Sequence, residues 1–461
     1  MTARHIGTAL ALLSLGLGFW APFEGLDAGI QRVLGLAVCA ILLWTTEPIP
    51  IELTSLAILL ILPASGLLSF ADSFAPFAGK TVWLVFAGMG LSLAISETGL
   101  GDRLAQAAMR IMGRSRASLL VTLHLIGLGA AFLIPAGVVR VLLLIPFGQA
   151  VVERVGDRDD GRLHLTVQLS LLCSTYYGGS GILTGTVPNL VAAGQYEAVT
   201  SSTLFWSEWL VWMFPVIGCL RTLLCLGVIW VMFARHLDPR ILADGPRAST
   251  GPKVSLDSSQ RRVLLVLIAG VALWSTDVVH GVAPTYISLG LLCLLMAPGW
   301  GPLGVAVLRQ INFPFLFYIA ALFAVGTALQ YSGFNVLFVE RLATAVDLES
   351  YNLPLRHLLI TLMVVPLDFL MDIAAVAGVM MPGMIEFGVA NGMAPLATAL
   401  SVAMATTLVF LPYQSAPFMV AISQARLSMG RLSLLIFVIS LLSLMFICPL
   451  NILYWLALGL I

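Results

Sequence analysis

Residues 178–190 read Gly178-Gly179-Ser180-Gly181-Ile182-Leu183-Thr184-Gly185-Thr186-Val187-Pro188-Asn189-Leu190, inside a strongly apolar region. Four glycines, a serine, two threonines and a proline fall within thirteen residues. Glycine and proline weaken a helix at bilayer depth, one through backbone entropy and the other through its missing N–H. Irregular backbone persists there only where protein or a water-filled cavity satisfies its polar groups. Broken helices of this kind meet ligands through helix-end N–H groups and unwound carbonyls. The plainer alternative is a Gly/Pro kink in an ordinary span. A second interrupted stretch downstream argues against it.

Composition fixes the class. Of 461 residues, 59% are hydrophobic and only 10% charged, against about 25% charged in soluble domains. Mean hydropathy is +1.01, so the chain reads as a polytopic membrane protein. Lys+Arg and Asp+Glu are equal at 23 each, which leaves no nucleic-acid footprint. The first apolar run, Ile6–Ala21, lacks an obvious small-residue cleavage site and reads as a retained helix. Cys39, Cys173, Cys219, Cys225, Cys293 and Cys448 lack paired spacing and read as small core residues, with neither disulfides nor metal implied.

Apolar segments able to enter or cross a bilayer run over 6–23, 28–45, 52–70, 81–97, 117–152, 163–194, 207–234, 262–280, 284–298, 313–331, 356–391, 395–423 and 432–460. Two are too long for one crossing and carry central breaks, at Ile134-Pro135-Ala136-Gly137 and Pro366-Leu367-Asp368. Both read as re-entrant hairpins, over 117–152 and 356–391, while 163–194 and 395–423 read as single broken crossings. The expected fold is all-α, with about 11 transmembrane helices plus two re-entrant hairpins.

Charge placement orients it. With the N-terminus cytoplasmic, 17 of 23 basic residues fall inside, four outside, and Arg140 and Arg221 lie within apolar segments. The C-terminus then falls in the periplasm. Arg235–Arg262 reads as a cytoplasmic linker between a first half, 1–234, and a second, 263–461. The halves resemble each other: Gly99 matches Gly333, Pro146 matches Pro382 and Pro188 matches Pro417, at offsets of 234, 236 and 229 residues. The first hairpin enters from inside and the second from outside, so the repeat reads as inverted.

Three motifs carry a family resemblance. Thr46-Glu47-Pro48-Ile49-Pro50 is similar to a TE-x-IP signature, Gly185-Thr186-Val187-Pro188-Asn189-Leu190 to a GTPPN loop, and Leu411-Pro412-Tyr413-Gln414-Ser415-Ala416-Pro417 to its LP-x-x-TPPN partner. Over about Leu42 to Gln424 the chain resembles the divalent anion/sodium symporter family, solute carrier family 13 in animals. The resemblance implies a homodimeric, elevator-type carrier of the ion-transporter superfamily. Spans 1–4 and 7–9 would form its scaffold, and the hairpins, broken helices and the helices after them a moving transport domain. Family members move dicarboxylates, citrate or sulfate, usually with sodium. Substrate and sodium are held by a Ser-Asn-Thr motif at each hairpin tip together with the two loops.

Here both tip motifs are absent. The first tip reads Ile134-Pro135-Ala136-Gly137-Val138-Val139-Arg140 and the second Asp368-Phe369-Leu370-Met371-Asp372-Ile373-Ala374. Hydroxyl and amide ligands for a hard cation are lost, and charge is gained. A charge at the centre of a membrane helix costs roughly 2.5–3.5 kcal/mol on insertion scales, so it usually faces a cavity or a partner. Arg140 is a candidate anion ligand through its bidentate fork, in place of sodium's charge. Asp372 is a candidate proton or cation site, or the ion-pair partner of Arg140. The bland readings are that Arg140 snorkels and Asp372 caps its helix. Asp368 reads as structural, Arg221 as a packing or interface charge, and His124, His164 and His357 as interfacial. Tyr176, Tyr177, Thr406 and Thr407 stand near the loops and read as packing residues or site walls.

The candidate substrate or ion site comprises Ala136, Gly137, Arg140, Thr184, Gly185, Thr186, Pro188, Asn189, Asp372, Gln414, Ser415 and Pro417. The expected function is secondary transport of small dicarboxylate- or sulfate-like anions across the bacterial inner membrane. No organic cofactor is expected, and sodium or a proton is the candidate coupling ion. The alternatives are a cation/proton antiporter of the same superfamily and a non-transporting membrane receptor. Expected partners are a small anion, the bilayer and a second copy of the chain. No nucleophile–base or metal-ligand cluster suggests an enzyme.

Overall fold

The computed structural model describes residues 3–20, 26–111, 115–155, 161–237 and 255–461. Regular structure among these residues is entirely helical. The protein is an all-α polytopic membrane protein. Helices α1 (Ala3–Trp20) and α2 (Ala28–Thr46) pack together closely enough that a Cβ at Gly18 would lie 2.8 Å from Gly35 Cα. Small residues at a helix crossing allow that approach. Asp27 caps α2 by accepting the Gly29 N–H at 2.7 Å. Glu47, at φ +42°, ends α2, and Pro48 and Pro50 follow before α3 (Ile51–Ala64) and the short α4 (Phe70–Phe74).

From α5 onward the same order of elements occurs twice. In the first pass α5 (Lys80–Glu97) turns at Gly99 into α6 (Leu100–Ile111), followed by α7 (Arg116–Leu133), α8 (Gly137–Val155), α9 (Arg162–Ser180) and α10 (Val187–Thr200). It closes with α11 (Trp206–Met213), a π-helical stretch (Phe214–Leu220) and α12 (Arg221–Met232). Among the described residues three connecting helices follow: α13 (Ser258–Ser275), α14 (Asp277–His280) and α15 (Pro284–Leu295). In the second pass α16 (Phe315–Tyr331) turns at Gly333 into α17 (Phe334–Ala345), then α18 (Leu353–Asp368), α19 (Ile373–Ala390), α20 (Pro395–Ala405) and α21 (Ala416–Gln424). It closes with α22 (Met429–Leu442), a π-helical stretch (Ser443–Ile447) and α23 (Cys448–Leu458). Gly99 and Gly333 have φ of +64° and +81°, the left-handed region that glycine enters without strain.

Each apolar segment of the sequence contains a helix. Among the described residues five helices are long and apolar enough to cross a bilayer, or seven if two bent pairs count as spans. The other segments are shorter or broken. Most of the expected linker, 238–254, lies outside the described residues, and α13 begins inside its expected C-terminal end. The cause is a reciprocal cap: Asp257 Oδ1 accepts the Gln260 N–H at 2.8 Å, and Gln260 Oε1 accepts the Asp257 N–H at 3.2 Å.

The expectations for His124, His357 and Cys293 change, whereas Arg221 is the packing charge expected. His124 and His357 are buried rather than interfacial. Their Nδ1 atoms lie 2.8 Å from Leu120 O and 2.9 Å from Ser401 Oγ, on helix faces packed against neighbouring helices. Cys293 is exposed on α15 rather than in the core, as the membrane accepts an apolar thiol on an outer face. Arg221 is fully buried and donates to Thr407 O at 3.0 Å and Thr407 Oγ1 at 2.9 Å.

Candidate functional site

The site forms where four helices begin. Pro135 pushes Ile134 out of helical geometry, so α7 ends there and α8 starts afresh at Gly137. Helix α9 gives out at Gly181, the chain makes a tight turn over Leu183–Gly185, and Thr186 is extended at φ −144° before α10. In the second half α18 runs through Pro366 to Asp368, so the break falls at Phe369–Asp372, just after the expected Pro366-Leu367-Asp368, and Asp372 caps α19 by accepting the Ala374 N–H at 2.8 Å. Helix α20 gives out at Thr406, Pro412–Gln414 turn, and Ser415, at φ −152°, precedes α21. Pro188 and Pro417 both stand in the first turn of their helices, where a missing N–H costs nothing.

Helices of opposite halves bring these starts together: α10 packs against α19, and α8 against α21. Gln195 of α10 donates to Gly378 O of α19 at 2.8 Å. The result is a cavity of about 80 Å³ lined by Gly137, Thr186, Pro188, Asp372, Ser415 and Pro417, with Tyr176, Phe315 and Tyr318 completing its wall. A larger apolar cavity of about 270 Å³ shares Gly137, Val138, Val187 and Phe315 with it and also meets Ala136 and Thr184. The N-termini of α8, α10, α19 and α21 therefore converge on one small space. Unpaired N–H groups at helix starts and their dipoles favour negative charge.

The remaining candidates brace this space rather than line it. Asn189 Nδ2 donates to Ser180 O at 3.0 Å and Ile182 O at 2.8 Å, closing the break on itself. Gln414 does the same for the second loop: its Oε1 accepts the N–H groups of Phe410 and Leu411 at 2.6 and 2.7 Å, and its Nε2 donates to Asp368 O. Gly185 is required by close approach, because a Cβ there would lie 2.2 Å from Gly179 O.

Arg140 differs most from expectation. It is fully buried, does not line either cavity, and does not bond to Asp372. Its donors go to Ile134 O at 2.7 Å, Gly185 O at 2.6 Å, Thr175 Oγ1 at 3.0 Å and, longer, Thr175 O at 3.4 Å. The breaks leave carbonyls without helical partners, and the nearest strong donor satisfies them. Asp372 instead accepts the Tyr318 hydroxyl at 3.1 Å. Asp368 is fully buried, and neither of its carboxylate oxygens meets a donor among the described residues.

Sequence reasoning missed Phe315 and Tyr318 as wall residues. Their only signal was their place in a segment that repeats 81–97, since an aromatic in an apolar run reads as core. Tyr176 lines the cavity, whereas Tyr177 lies under the Arg221 guanidinium at 5.5 Å. Among the described residues no group of three or more His, Cys, Asp or Glu is arranged to hold a metal.

Known proteins share this organisation. The sodium-dependent dicarboxylate transporter SdcS of Staphylococcus saprophyticus is 23% identical, over 96% of this chain and 89% of that protein. An uncharacterized transporter of Haemophilus influenzae is also 23% identical, over 94% of this chain and 93% of its own length. The crystal structure of the Alcanivorax borkumensis YdaH transporter superposes with a TM-score of 0.56 at 16% identity, over 99% of this chain and 98% of that one, a likeness of fold. The citrate transporter family model matches residues 41–403. With the first broken helix, its loop and most of the chain inside that match, the protein is a secondary transporter rather than an enzyme, a divalent anion/sodium symporter-like permease belonging to the citrate transporter family.

Proposed function

We propose that the chain carries small anions of the dicarboxylate or citrate type across the bacterial inner membrane. The convergence of four helix N-termini on one cavity carries this reading. The cavity's other polar groups are the hydroxyls of Tyr176, Thr186, Tyr318 and Ser415, suited to carboxylate oxygens, and the Asp372 carboxyl. The names of the family and of the Staphylococcus relative point the same way. In the mechanism we infer, the halves 1–234 and 263–461 form an inverted repeat. The hairpins 117–152 and 356–391 and broken helices 163–194 and 395–423 move together in an elevator stroke within a homodimer. The N-terminus lies in the cytoplasm and the C-terminus in the periplasm. Sodium or a proton is the coupling ion.

Titration of the purified protein with succinate, citrate and sulfate, read by thermal stability and calorimetry, tests this. Saturable stabilisation by at least one of them is expected, and indifference to all three across pH would sink the reading. A second reading, cation/proton exchange, is favoured by Asp368 beside the second tip, whose oxygens meet no donor among the described residues. It predicts stabilisation by sodium or lithium alone, lost in Asp368→Asn.

A further inference from the structure

The family resemblance and the Staphylococcus relative imply sodium, and the first hairpin tip is where its fit can be tested. Four oxygens from three segments converge there: Ile134 O at the hairpin break, Gly185 O in the loop, and the carbonyl and hydroxyl of Thr175 on α9. Neutral oxygens gathered around one point make a cage for a hard cation, as carbonyls do when they replace an ion's water shell. The cage is filled by the Arg140 guanidinium, and a metal ion would have to take the same oxygens from it. Sodium does not fit beside it.

The geometry points to Arg140 as the cation of this half of the carrier, built into the chain in place of a metal ion. Its charge is not cancelled, for no carboxylate is among its bonded partners among the described residues. It stands directly behind the cavity wall: a Cβ at Gly137 would lie 3.7 Å from Arg140 Nη2 and 3.4 Å from Pro417 Cγ. The anion therefore meets helix starts and hydroxyls in the cavity, with a fixed positive charge one layer behind them. Arg140 also joins the hairpin tip to the loop, so the two move as one piece whether or not an ion is present. This assignment rests on the anion-carrier reading only for the anion's part in it. The cage is a separate property and is tested without any anion.

The melting temperature of purified protein is measured in choline, sodium and guanidinium chlorides at low millimolar concentration. Arg140→Gly opens the cage and is expected to melt several degrees lower. Guanidinium or methylguanidinium should restore at least half of that loss while leaving the native chain unmoved. Arg140→Lys keeps the charge but offers one donor centre to oxygens from three segments, and should fall between the two. An Arg140→Gly protein that melts like the native chain and ignores guanidinium overturns the assignment. So does a native chain stabilised by sodium whose response vanishes in Arg140→Lys, for that places a metal beside the arginine. If Arg140→Gly fails to fold, the sodium titration of the native chain and Arg140→Lys decides alone. A sodium response that is absent, or unchanged by the substitution, then supports the assignment.

Discussion

The Tyr318 hydroxyl donates to Asp372 Oδ1 at 3.1 Å, tying the start of α19 to α16 across the wall of the small cavity. Asp372 is thus both a helix cap and the ionisable group lining the space where an anion is proposed to bind. An ionised carboxylate there repels an anion, and a protonated one can donate to it. Anion affinity is therefore expected to rise as pH falls, by at most about tenfold per pH unit for one linked proton. Asp372→Asn should flatten this profile, and Tyr318→Phe should displace it along the pH axis. Calorimetric titration with succinate or citrate between pH 5 and 8 checks both. A profile in Asp372→Asn as steep as in the native protein would count against the role.

Gly185 leaves no room for a side chain, its Cβ position lying 2.2 Å from Gly179 O. Gly185→Val must open the break or shift Gly179, and the Gly185 carbonyl then leaves Arg140. The variant is expected to remain folded through the rest of its helix packing but to lose anion-induced stabilisation. A native-like ligand response in a thermal-shift titration would return this stretch to a simple kink.

Asn189 closes the first break with two hydrogen bonds to buried carbonyls. Asn189→Ala leaves Ser180 O and Ile182 O without that donor, at a cost of about 1–3 kcal/mol. A lower melting temperature is expected with or without anion, which separates bracing from ligand contact. A variant that loses anion affinity at unchanged thermal stability would make Asn189 a ligand instead.

The proposed inverted topology predicts labelling. Ser258 and Glu349 are both exposed in the structure. Cysteines placed there should react with an impermeant maleimide only from the cytoplasm and only from the periplasm, respectively. Ser249, in the same expected cytoplasmic segment as Ser258, lies outside the described residues. Labelling of Ser258→Cys from outside in intact cells would defeat the inverted-repeat model.

The breaks at Pro135, Gly181 and Pro188 could be read from sequence because glycine and proline act locally, whatever packs around them. The pairing of the two loops could be read because Pro188 and Pro417 recur at nearly the offset of the other matched residues. The partners of Arg140 could not. Every residue carries a carbonyl, so sequence announces the cost of a buried guanidinium but not which backbone oxygens meet it. His124 and His357 failed for a related reason: nearness to a segment end says nothing about which face of the helix turns inward.

Arg140 is covalently part of the carrier, and that has an electrical consequence. A dissolved sodium ion crosses with its anion and cancels part of the charge moved, whereas a guanidinium returns with the empty protein. On the proposal above, each cycle moves the anion's charge uncompensated, apart from any proton on Asp372 or ion held in the second half. Voltage then acts on transport at about 2.3 kcal/mol per unit charge per 100 mV. A cell interior held negative pushes anions outward, so net uptake through such a protein needs a counter-anion or a steep gradient. Proteoliposomes clamped with potassium and valinomycin should show anion flux that reverses with the imposed potential, and anion-for-anion exchange that depends on it less.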